Sequence, residues 1–112
     1  MSLRAICLTS MAVIALCNTS VEAKTISISI VSAPTFRFEP ATVDANPGDT
    51  VTWTNTTTSD HTISPGQDGA FPEKDPFEAK ATYSITVPNK FGPIPYHCNF
   101  HPMNGTINVV KP

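Results

Sequence analysis

From Lys24 onward, apolar side chains recur at every second position in short runs, and no stretch carries them at helical spacing for more than two turns. Ile26, Ile28 and Ile30 alternate with Ser27, Ser29 and Val31; Phe36 and Phe38 with Arg37 and Glu39; Val51 and Trp53 with Thr50, Thr52 and Thr54; Tyr83, Ile85 and Val87 with Ser84 and Thr86. Successive side chains of an extended strand point to opposite faces, so each run reads as a strand with one face toward a core. Turn signals separate the runs: Asn46-Pro47-Gly48-Asp49, Ser64-Pro65-Gly66, Asp68-Gly69 and Pro88-Asn89. Eleven prolines in 112 residues reinforce the reading, because each removes a backbone donor and breaks a helix interior. The pattern predicts an all-β domain, a sandwich or a small barrel. The least regular stretch, Gln67 to Lys80, mixes Phe71, Pro72, Pro76 and Phe77 with charges and reads as a surface loop with one helical turn.

The first 23 residues stand apart. A basic start ending at Arg4, an apolar stretch of about 13 residues from Ala5 to Cys17, and Val21-Glu22-Ala23 have the form of a secretory signal cleaved after Ala23. The apolar stretch falls short of the ~20 residues that span hydrocarbon, so no stable membrane insertion is expected. Lipidation at Cys17 is the alternative, with Leu16 bulky where a small residue is expected. Residues 24–112 then form one exported domain. Seven Lys and Arg against nine Asp and Glu give a net charge of −2, which leaves no basic face for a run of phosphates and excludes nucleic acid.

Removal of the leader takes Cys7 and Cys17 with it and leaves Cys98 as a lone thiol in an oxidising compartment. Its surroundings supply a reason. Tyr96-His97-Cys98-Asn99-Phe100-His101-Pro102-Met103-Asn104-Gly105-Thr106 places a thiol, two imidazoles and a thioether within seven residues, and His61 in Asp60-His61-Thr62-Ile63 is the other histidine of the domain. Sulfur and imidazole donors together suit copper, zinc or iron better than calcium or magnesium.

The domain resembles the cupredoxins, the small blue copper proteins, particularly the plastocyanin, amicyanin and pseudoazurin group. Phe38-Glu39-Pro40, Val43, Asn46-Pro47-Gly48-Asp49, Val51-Thr52-Trp53-Thr54-Asn55, Asp60-His61-Thr62, Tyr96-His97-Cys98 and His101-Pro102 carry the likeness in order and spacing. The resemblance implies a Greek-key β-sandwich of about seven to eight strands and one copper ion cycling between Cu(I) and Cu(II). It implies His61, Cys98 and His101 as strong ligands and Met103 as the long axial one. It further implies a periplasmic, monomeric carrier of single electrons between redox proteins such as cytochromes, oxidoreductases or dehydrogenases. These would dock on an apolar patch around His101 formed by Pro102, Met103 and Phe71 or Pro65.

One interval departs from the pattern. Relatives place at least two residues between the loop histidine and the axial methionine, whereas only Pro102 separates His101 from Met103. At spacing two a helical turn points the side chains apart and an extended conformation aligns them, so either Met103 binds through a rebuilt loop or the site is completed by three ligands or a water. His97 should face away from Cys98 across the strand. The resemblance implies that Asn55, at a family position near the copper loop, braces that loop through its side chain, and Gly48 and Gly105 mark turns or close backbone approaches. Asn55-Thr56-Thr57 and Asn104-Gly105-Thr106 match the N-glycosylation pattern but read as unmodified. The competing functions are copper delivery, storage or resistance without electron exchange, and an enzyme with a Cys98 nucleophile and a His61 or His101 base. The second lacks an orienting or oxyanion group in so small a domain, and the chain reads as a non-enzyme.

Overall fold

The computed structural model describes residues 22–67 and 69–112; Cys7, Cys17 and the expected leader up to position 21 lie outside the described residues. Nine strands follow one another: β1 (Thr25–Val31), β2 (Arg37–Glu39), β3 (Thr42–Ala45), β4 (Thr50–Asn55), β5 (His61–Pro65), β6 (Lys74–Phe77), β7 (Thr82–Thr86), β8 (Gly92–His97) and β9 (Asn104–Val109). They form two layers of a Greek-key sandwich, one ordered β2-β1-β4-β7 and the other β3-β9-β8-β5-β6. β1 runs parallel to β4, and β3 parallel to β9; the remaining pairs are antiparallel. Among the described residues there is no helix, and none long and apolar enough to cross a membrane.

The expected strand count of seven to eight rises to nine through segments too short or too buried to alternate visibly. β3 alternates over only four residues, and the first four residues of β5 are all buried, which erases the period-two signal. Among the described residues of Gln67 to Lys80 there is no helical turn of the kind expected. Lys74–Phe77 is instead an edge strand on β5, in register His61↔Phe77 and Ile63↔Lys74 with an irregularity between. An edge strand tolerates Pro76 and exposed charge because one row of its backbone groups has no partner to satisfy, while Phe77 is fully buried and anchors it.

The core between the layers is organised by Trp53, Tyr96, Phe38 and Phe77, each at most 1% exposed. Tyr96 packs edge-on against both Phe38 and Trp53, with centroids 4.7 and 5.2 Å apart. These edge-to-face pairs contribute about 0.5–1.5 kcal/mol each beyond area burial. Tyr96 also lies across Gly105, its partner in the β8–β9 register; a Cβ there would overlap the phenol ring. Gly105 is therefore required by close approach. Burial pushes the Tyr96 hydroxyl up to about 12 despite the opposing influence of the nearby Trp53 indole. Neither Trp53 Nε1 nor Tyr96 Oη reaches a partner at full hydrogen-bond geometry among the described residues.

β4 buries Val51, Trp53 and Asn55 on one face. Asn55 is fully buried at the end of an apolar row, and its amide is saturated. Nδ2 donates to Ser59 O at 2.8 Å and Phe77 O at 3.1 Å, while Oδ1 accepts from Thr57 N at 3.0 Å and Thr57 Oγ1 at 2.6 Å. An inward amide with all four bonds made ties the end of β4 to the chain leading into β5. The same geometry leaves no room for a glycan on Asn55.

Candidate metal centre

The antiparallel pairing of β5 with β8 joins Ser64 to His97 and Pro65 to Tyr96, which brings His61 at the head of β5 and Cys98 just past β8 to the same end of the sandwich. The chain then turns back at once. Met103 N donates to His101 O at 2.8 Å across Pro102, and Cys98 N donates to Met103 O at 3.2 Å, so the short interval closes as a γ-turn within a tight loop. The fixed φ of Pro102 suits the central position of an inverse γ-turn.

Cys98 Sγ lies 3.7 Å from His61 Nδ1 and 3.8 Å from His101 Nδ1, and the donor atoms of the three residues all lie within 4.8 Å of one another. His61 is fully buried, Cys98 is 5% exposed and is a free thiol, and His101 is half-buried. A first-row ion bonded at about 2.3 Å to sulfur and about 2.0 Å to nitrogen, at roughly 120°, needs sulfur and nitrogen about 3.7–3.8 Å apart. Both sulfur–nitrogen pairs meet that requirement. His97 stands outside the cluster, as its place on β8 predicts, with Nε2 bonded to Asn99 Oδ1 at 2.9 Å. Met103 is 2% exposed and belongs to the same buried cluster as Cys98.

The residues around the donors orient them. Thr57 Oγ1 donates its single proton to Asn55 Oδ1 or Ser59 O, both acceptors only, so at 3.1 Å from His61 Nε2 it must accept. That leaves Nε2 protonated and the Nδ1 lone pair directed at Cys98, the tautomer a ligand needs. Burial, and then the neighbouring His101, hold the His61 pKa below its ordinary value, with Asp60 acting weakly the other way. The imidazole is thus kept neutral.

The sulfur has its own bracing. Thr62 N donates to Cys98 Sγ at 3.4 Å and fixes where the sulfur sits. Asn99 ties the Cys98 loop to β5: its N donates to Thr62 Oγ1 at 2.8 Å and its Nδ2 to Ser64 Oγ at 2.9 Å. Glu73 Oε2 accepts from both Ser64 Oγ, at 2.7 Å, and Asn99 Nδ2, at 3.0 Å. Phe36, between β1 and β2, packs against His61 and His101 with centroids 4.8 and 4.5 Å away.

Sequence reasoning anticipated the bracing role of Asn55 but treated Phe36 as a core aromatic and passed over Thr57, Asn99 and Glu73. Their only sequence signal is nearness to a ligand, and Phe36 and Glu73 lack even that. The apolar rim also differs from expectation. Met103 and Phe71 are buried, at 2% and 7% exposure, whereas Phe100 at 54% and the exposed Pro102 flank His101 in the chain.

A buried thiol and two imidazoles converge at one end of the sandwich, a donor set suited to a soft first-row metal ion. The profile described as copper binding proteins, plastocyanin/azurin family, matches residues 24–110, and the chain belongs to that family. Among solved structures, a purple cupredoxin from Nitrosopumilus maritimus is 23% identical with a TM-score of 0.66, covering 76% of this chain and 99% of that one. A mutant of amicyanin in its reduced Cu(I) form at pH 4 is 26% identical with a TM-score of 0.65, covering 83% and 87%. An oxidised amicyanin mutant is 27% identical with a TM-score of 0.66, covering 77% and 82%. No curated protein matches the chain by sequence. Copper is the cofactor that family and donor set share.

Proposed function

We propose that the protein is an exported type 1 copper protein that carries single electrons between redox partners, with His61, Cys98 and His101 as strong ligands and Met103 as the axial one. The convergence of two nitrogens and one sulfur at 3.7 and 3.8 Å carries the reading. Bound copper would supply a one-electron couple whose potential responds to the axial ligand and to hydrogen bonding at the thiolate sulfur. The chain contributes rigidity. Asn55 and Thr57 hold His61, Thr62 N–H holds the sulfur, and Asn99 holds the loop, so the chain's own hydrogen bonds fix the donors. Donors that need not move between oxidation states keep the reorganisation cost of electron exchange low.

Met103 is supported by its burial and by the γ-turn at Pro102, which draws His101 and Met103 together across the shortened interval. His101, half-buried beside exposed Phe100 and Pro102, offers the route for electrons, and a small apolar patch suits brief encounters with partners. Residues 1–23 act as a leader removed on export to the periplasm, and the remaining monomer is not an enzyme.

Adding one equivalent of Cu(II) to residues 24–112 tests the proposal. An intense thiolate-to-copper band in the visible spectrum and fast reduction by a small cytochrome in stopped flow are expected. A colourless complex overturns the ligand assignment, and slow exchange in a coloured one turns the reading to copper handling. Met103→Ala should shift both spectrum and potential; if neither moves, Met103 is not a ligand.

A further inference from the structure

The sandwich end remote from the donors holds a second buried polar centre. Asp49 is 2% exposed, and its carboxylate collects donors from Lys24, just before β1. Lys24 N donates to Oδ1 at 3.0 Å, while Lys24 Nζ at 2.7 Å and Asn46 N at 2.8 Å donate to Oδ2. Asn46 Oδ1 also accepts from Lys24 Nζ at 3.0 Å, and Asn46 Nδ2 reaches Val110 O at 2.9 Å. The arrangement is built by the turn: Asp49 N bonds Asn46 O at 3.0 Å, with Gly48 at φ +90°. The parallel register Thr25↔Thr50 then sets Lys24 beside Asp49, and Thr50 N donates to Lys24 O at 2.9 Å. Glu22 and Ala23 are exposed and make no hydrogen bond among the described residues. Lys24 is therefore the first residue held by hydrogen bonds among the described ones.

We propose that Asp49 is the receptor for the mature N terminus: cleavage of the Ala23–Lys24 bond creates an α-ammonium group at Lys24 N, which the buried Asp49 carboxylate holds and so locks β1 into the sandwich. The inference rests on the export reading for the occurrence and the position of cleavage; the hydrogen bonds supply the receptor. Hydrolysis by a leader-cleaving endopeptidase consumes one water, whose hydroxyl goes to the Ala23 carbonyl and whose hydrogen goes to Lys24 N; that amine then takes a proton from solvent. An atom that offered Asp49 one neutral N–H now offers three hydrogens and a full charge. Charge-assisted bonds of this kind are roughly twice as strong as neutral ones. The Lys24 side chain is 54% exposed, so water screens its ammonium, and the carboxylate receives the two cations on different oxygens.

The test begins with the full chain, secreted into a periplasm, and the mass and first residue of the product. A chain beginning at Lys24 is expected; one beginning elsewhere, or at a lipidated Cys17, overturns the inference. Urea unfolding then compares the product with its α-acetylated form, each with and without Asp49→Asn. Acetylation should lower the folding equilibrium constant about three- to tenfold in the wild type and leave Asp49→Asn unchanged; equal effects in both overturn it. Should Asp49→Asn fail to fold, acylation of the α-amine gives a second reading: slow in the folded protein and fast in urea is expected, and equal rates overturn the proposal. A blue protein with another N terminus defeats this inference and the leader boundary but leaves the electron-carrier reading standing, whereas a chain starting at Lys24 that yields no coloured copper complex defeats only the electron-carrier reading.

Discussion

The two ends of β4 solve the same problem with opposite chemistry. At one end Asp49 and at the other Asn55 are buried side chains of almost the same shape, each pinning a neighbouring segment, Asp49 through three hydrogen bonds and Asn55 through four. Asp49 uses charge. The Lys24 ammonium first, then the backbone N–H groups of Asn46 and Lys24, hold its pKa at about 2. Asn55 uses none, because the group it braces through Thr57 is His61, whose imidazole must stay neutral to offer a lone pair. A carboxylate there would favour the imidazolium and compete with a metal for the ligand. Charge is placed where the partner is permanently cationic and withheld where the partner must remain neutral.

Exchanging the two side chains is the sharpest way to break this contrast. Asn55→Asp leaves the carbonyls of Ser59 and Phe77 without their donor and buries an unpaired charge, so a loss of about 3 kcal/mol or more is expected in urea unfolding of the metal-free protein. A near-neutral result would mean the amide is not needed. Thr57→Val removes the bond to His61 Nε2 while keeping the backbone bond to Asn55, and should weaken copper affinity about 10- to 100-fold in a competition titration with only a modest change in stability.

At the other end the expected signature lies in acid. The Asp49 carboxyl is depressed in the folded state, so its contribution is fully present above the ordinary value of 3.8 and is lost as pH falls toward about 2. Wild type should lose stability through that window more steeply than Asp49→Asn, as measured by urea midpoints; parallel curves would remove Asp49 from the account. The smallest effect is expected from Glu73→Gln. Glu73 is exposed and serves only as an outer acceptor for Ser64 and Asn99, so a change of about 0.5–1 kcal/mol is anticipated. A large shift in the copper spectrum would instead promote Glu73 to a determinant of the site.

The candidate donors were legible in advance through the resemblance carried by Asp60-His61-Thr62, Tyr96-His97-Cys98 and His101-Pro102. Cys98 and His101 lie on one short loop, and His61 follows a strand whose alternation is plain. The partners that orient them were not legible, because hydrogen bonds from Thr57, Asn99 and Glu73 depend on which strands become neighbours. β6 was hidden for a related reason: Pro76 and flanking charges are acceptable on an edge, and nothing local declares which strand will be one.

Alternation and proline content were enough to determine an all-β domain, since side-chain period is a local property, and the likeness of the His61 and Cys98-to-His101 segments to the cupredoxins singled out the candidate ligands. Only the tertiary structure decided that the short His101–Met103 interval closes as a γ-turn, that Tyr96 requires Gly105 beneath it, and that Lys24 meets Asp49. Each of these depends on register between segments far apart in the chain, and register is set by the packing of the whole sandwich rather than by any one run of residues.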